Sequence, residues 1–101
     1  MTSNENLLVT AMEECNKLSM AISKALRFGM KNYCAERDNI EDNNYHILEE
    51  YIQLKTVMDM LFSRKVLKPV SDTVYTAIRL NKEKKVDKYQ EYSKSIELIS
   101  E

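Results

Sequence analysis

One glycine and one proline in 101 residues are far below the usual shares of about 7% and 5%. A chain so poor in turn formers has few tight reversals and long uninterrupted segments, and this favours helices over a many-stranded sheet. There is no Trp, a single His and only two Cys, so neither a disulfide framework nor a His/Cys metal site is supported. No charge of one sign dominates: 15 basic and 16 acidic residues give a net charge of -1. That balance argues against a nucleic-acid or membrane-surface field. No apolar run approaches the roughly 18 residues needed to span a bilayer, and the opening residues show no leader pattern. The expectation is a cytoplasmic, all-α single domain over residues 1–101, a small bundle of three or four helices.

Helical periodicity fills the space those absences leave. Leu7, Leu8, Ala11, Met12, Cys15, Leu18, Ala21, Ile22, Ala25 and Leu26 recur at spacings of three and four, predicting one helix capped by Ser3 and stopped at Gly29. Cys15 falls in the apolar phase and is expected as a buried reduced thiol. Met30 to Asp42 shows no firm period and reads as a loop. Asn43 or Asn44 is placed to cap a second helix carrying Ile47, Leu48, Tyr51, Ile52, Leu54, Met58, Leu61 and Phe62. His46 has no partners at ligand spacing and reads as a surface residue near its start. Ser63 to Lys68 and Pro69 break that helix, and Ser71-Asp72 begin a third region whose division near Asn81 stays open. Apolar stripes this long on so few elements expose more than one copy can cover, so a homodimer, homotetramer or higher assembly is expected.

Residues three apart share a helix face. Glu14 and Lys17 form such a pair in the first helix, Glu50 and Gln53 in the second, and antiparallel packing would bring the four together. Four carboxylates there would hold Mg²⁺, but these four side chains carry only -1. The Lys17 ammonium repels a metal; it can pair with Glu14 or Glu50, or meet a ligand phosphate. Acidic doublets in a chain with 16 acidic residues are also what a solvated helix face looks like.

EECNKLSMAISKALRFG, then NNYHILEEYIQL, then KEKKVDKYQEYSK resembles the MazG-like nucleoside triphosphate pyrophosphohydrolases, in particular their short phage-encoded type. The resemblance spans nearly the whole chain. It implies an all-α fold, dimers or dimers of dimers, and Mg²⁺-dependent cleavage of (d)NTPs to monophosphate and pyrophosphate. The family's metal motif is EExxE followed by ExxD. Glu13, Glu14 and Glu50 match it, whereas Lys17 and Gln53 replace a Glu and an Asp. Lys24 and Arg27 match the KALRFG-like block; Lys85, Lys88 and Tyr89 match the C-terminal block.

The expected function is therefore a nucleotide-binding protein with a degenerate site, needing no cofactor and using Glu14, Lys17, Lys24, Arg27, Glu50, Gln53, Lys85, Lys88 and Tyr89. It would act as a phage counter-defence sponge for a cyclic or ADP-ribose-like signalling nucleotide in the cytoplasm of an infected bacterium. One alternative is an active pyrophosphohydrolase holding Mg²⁺ on Glu13, Glu14 and Glu50. Another is a non-catalytic protein-interaction bundle.

Overall fold

The computed structural model describes residues 1–31 and 42–100. They form three helices: α1 (Ser3–Phe28), α2 (Asn43–Ser63) and α3 (Asp72–Ser95). The fold is all-α, as the scarcity of glycine and proline requires. The chain divides into two compact units, Met1–Lys68 with α1 and α2, and Pro69–Glu101 with α3.

Each helix start is set by side-chain chemistry. α1 is capped by Thr2 rather than Ser3: the Thr2 hydroxyl accepts from the Glu5 N–H at 3.1 Å, and the Glu5 carboxylate accepts from the Thr2 N–H at 3.1 Å. This capping box needs a carboxylate three residues on. Thr2 has one in Glu5, while Ser3 has only Asn6 there. The Thr2 backbone N–H, and then its hydroxyl, hold the Glu5 carboxyl below its ordinary range. Asp42, not Asn43 or Asn44, caps α2 by accepting from the Tyr45 N–H at 2.8 Å. Asn43 has another task. Its buried side chain donates to the Gly29 carbonyl at 2.8 Å, while the Asn44 N–H donates to the Met30 carbonyl at 3.0 Å. The end of α1 is thereby tied to the beginning of α2. α3 starts at its expected cap, Ser71, and runs unbroken through Asn81 as one helix.

The helix ends show what a near-absence of glycine entails. Gly29 ends α1 at φ +91°, and its N–H donates to the Ala25 carbonyl. With no further glycine available, Lys65 (φ 60°) and Glu97 (φ 63°) take the left-handed conformation after α2 and α3. Val66 N–H to Leu61 C=O with Lys65 N–H to Phe62 C=O, and Leu98 N–H to Ser93 C=O with Glu97 N–H to Lys94 C=O, form two Schellman closures. Val66 also packs on the cluster containing Leu61, the apolar contact that accompanies this motif.

α1 and α2 form an antiparallel hairpin. The buried or half-buried line on α1 is Leu7, Ala11, Glu14, Leu18, Ala21 and Ala25; on α2 it is Asn43, Ile47, Glu50, Leu54, Val57 and Leu61. Both alternate steps of four and three, the seam of coiled-coil-like packing. At the open end Leu7, Ala11 and Leu61 make the apolar cluster, with Val57, Met58, Val66 and Leu67 against it. The broad α1 stripe expected from sequence thus resolves into two neighbouring seams, of which only one meets α2. Cys15 belongs to the other and is an exposed free thiol, contrary to the expected burial. His46 is half-buried rather than a plain surface residue: its ring meets Tyr45 edge-on at 5.6 Å and its Nδ1 lies 3.7 Å from Glu49.

Candidate functional site

Glu14 occupies a core position of the α1 seam, a place where the packing pattern calls for an apolar residue. Only 8% of it is exposed. Its Oε1 accepts from the Lys17 ammonium at 3.2 Å, one turn further along the helix. The pKa of Lys17 is raised, first by this hydrogen bond and the Glu14 charge, then in smaller part by Glu50 and Glu13. Lys17 thus sits against Glu14, with Glu50 and Glu13 near enough for their charges to act on it.

The cluster is incompletely satisfied. Glu14 Oε2 and Glu50 Oε2 are both buried and neither has a hydrogen-bond partner. Buried carboxylate oxygens are nearly always paired, and leaving one unpaired costs about 1–3 kcal/mol. Glu14, Glu50 and Lys17 sum to -1, so the cluster is short of positive charge or of donors.

The Lys17 ammonium is engaged by Glu14, one of the pairings its position allowed. Gln53 is on α2, exposed. Lys24 and Arg27 are exposed on the last two turns of α1, where the Arg27 guanidinium lies 5.2 Å over the Phe28 ring. Lys24 follows Lys17 by seven residues, on the same flank and about 10 Å further along the axis. Lys85, Lys88 and Tyr89 are exposed on α3, in the other unit.

A metal set is not assembled. Among the described residues, no three of His, Cys, Asp and Glu come together so as to hold a metal ion. Glu13, Glu14 and Glu50 therefore do not fit Mg²⁺ as they stand, with an ammonium seated on the most buried of them.

Sequence reasoning missed Asn43, whose side chain joins the two helices that carry the cluster. The signal was available in the α2 seam, which runs back from Leu61 in steps of three and four onto Asn43. Among the described residues no helix is long and apolar enough to cross a membrane. No protein-family model, curated protein or solved structure matches the chain.

Proposed function

We propose that the chain binds a nucleotide without turning it over, and serves as a sponge that withdraws a cyclic or ADP-ribose-like signalling nucleotide in the cytoplasm of a phage-infected bacterium. The observation that carries this reading is the Lys17–Glu14 ion pair beside two buried carboxylate oxygens without partners. Lys17 stands where the resembled pyrophosphohydrolases have a metal-binding carboxylate, and its ammonium supplies positive charge there without activating water. The unpaired oxygens of Glu14 and Glu50 are buried acceptors, which a turn of either carboxylate would offer to the N–H and O–H groups of a nucleobase or ribose. Lys24 and Arg27, about 10 and about 15 Å along the same helix, suit the phosphates at the other end of an extended nucleotide. Lys85, Lys88 and Tyr89, carried by α3 in the other unit, complete the set of residues proposed for the ligand.

One incubation tests the proposal. The protein is mixed with NTPs, dNTPs, cyclic oligonucleotides and ADP-ribose derivatives plus Mg²⁺, and separated by gel filtration. Small molecules in the bound and free fractions are then identified by mass spectrometry. An intact nucleotide travelling with the protein is the expected result, and its capture should fall tenfold or more in Lys24→Ala or Arg27→Ala if each makes a charged hydrogen bond worth about 1.5–3 kcal/mol. Release of monophosphate and pyrophosphate would replace this reading with the hydrolase. No bound molecule at all would leave an interaction bundle.

A further inference from the structure

The charged cluster of the hairpin has a definite pattern of hydrogen-bonding capacity left open. Glu14, more than nine-tenths buried, uses Oε1 to accept from the Lys17 ammonium at 3.2 Å and keeps Oε2 without a partner. Glu50, on the facing helix, also keeps a buried Oε2 without a partner. An ionised carboxylate only accepts, so neither oxygen can satisfy the other. Lys17 has the converse surplus. Its ammonium has three donors, of which Glu14 takes one, and the side chain is 54% exposed. The cluster therefore offers a donor at Lys17, then an acceptor on Glu14, then an acceptor on Glu50.

An edge that satisfies all three presents one acceptor followed by two adjacent donors. The Watson–Crick edges of the nucleobases differ in this respect. Guanine shows O6 as an acceptor, then N1–H and the 2-amino group as neighbouring donors. Adenine has one donor group, N6–H₂, beside the N1 lone pair, which would face a carboxylate oxygen. Cytosine has N4–H₂ beside two acceptors. Uracil has a single N3–H between two carbonyls. Only guanine complements the cluster at every position.

Resting on the nucleotide reading proposed above, we infer that the base this cluster takes is guanine. Lys17 donates to O6, Glu14 Oε2 accepts from N1–H, and Glu50 Oε2 accepts from the 2-amino group, once both carboxylates turn their buried oxygens toward the base. The two bonds to the carboxylates pair oxygens that otherwise stay orphaned. Discrimination comes mainly from the penalty on the wrong base. Adenine or cytosine sets a ring-nitrogen lone pair against a carboxylate and leaves a buried oxygen unpaired. Among signalling nucleotides, this selects a guanine-bearing cyclic nucleotide over ADP-ribose derivatives, whose base is adenine.

The test is calorimetric titration of the full chain with cyclic dinucleotides of guanine, of hypoxanthine and of adenine, and with ADP-ribose. Hypoxanthine is guanine without its 2-amino group, so it isolates the bond to Glu50. The guanine form should bind most tightly and the hypoxanthine form about tenfold or more weakly, the discrimination that a paired base contact gives. The adenine form and ADP-ribose should be weaker still. Glu50→Leu removes the acceptor at a seam position where an apolar residue packs, and should erase or reverse the preference for guanine over hypoxanthine. Equal binding of guanine and hypoxanthine by the wild-type chain, or tighter binding of adenine, would overturn the inference and leave the nucleotide reading standing. A preference that survives Glu50→Leu would overturn the assignment to these oxygens. Failure of every probe to bind would overturn the inference and the nucleotide reading together. Should Glu50→Leu lose its helical circular dichroism, the comparison of guanine with hypoxanthine on the wild-type chain decides alone.

Discussion

Replacing Glu14 by Leu should make this protein more stable while abolishing capture at the charged cluster. Glu14 sits at a seam position between Ala11 and Leu18 and is only 8% exposed. Its Oε2 has no partner, and its Oε1 holds a lysine whose side chain is 54% exposed. The pair stands half in water, so its loss costs little. Removing the unpaired oxygen recovers about 1–3 kcal/mol, and a buried Leu adds about 1.5–3 kcal/mol less any overpacking. The net expectation for Glu14→Leu is a gain of about 2 kcal/mol in urea unfolding, with an unchanged m-value. Lys17→Met removes the cation and leaves a buried carboxylate alone, so it should lower the urea midpoint. In the Glu14→Leu background the same change should be neutral. The pH dependence follows from Lys17, whose folded pKa is raised above 10.5 by Glu14. Its contribution is fully present below about pH 10.5 and lost as the pH rises through the folded value. Glu14→Leu should lack that alkaline loss. A Glu14→Leu protein that is equally or less stable, with wild-type alkaline behaviour, would refute the assignment of Glu14 as a strained core position.

Other expectations concern single positions. Lys65→Gly relieves a left-handed lysine and should raise stability by about 0.5–1 kcal/mol in the same urea assay. Asn43→Ala removes a buried donor from the Gly29 carbonyl and should cost about 1–2 kcal/mol, read as a lower midpoint with helicity retained at low urea. Lys17→Glu combined with Gln53→Asp makes all four positions carboxylate-bearing and should produce larger calorimetric heats with Mg²⁺ or Mn²⁺ than the wild-type chain gives. Unchanged heats in the folded double variant would show that these four positions do not converge.

The apolar spacing, Gly29, Pro69 and Ser71 made three helical regions legible, because a helix is encoded locally by period and punctuation. Helix starts were less legible. Thr2 displaced Ser3 through the reply of Glu5, and Asp42 displaced Asn43 because the amide was drawn across to Gly29. The pairing of Lys17 with Glu14 was one of several readings that a three-residue spacing permits. The Schellman closures at Lys65 and Glu97 were not legible at all, since lysine and glutamate carry no preference for positive φ.

What the sequence determined by itself is the all-α class and the presence of acidic pairs on two helices, both consequences of residue type and spacing along one strand of chain. It could not divide the α1 stripe. Leu7 and Leu8, Ala11 and Met12, Ala21 and Ile22 are neighbours that are both apolar, and each helix alone is free to turn either seam inward. The tertiary structure decided between them when Asn43 clamped α1 to α2 and the register brought Leu61 onto Leu7 and Ala11. That choice buried Glu14 with Lys17 at its side and left Leu8, Met12, Cys15, Ile22 and Leu26 facing outward, because a helix can give only one of two adjacent seams to a single neighbour.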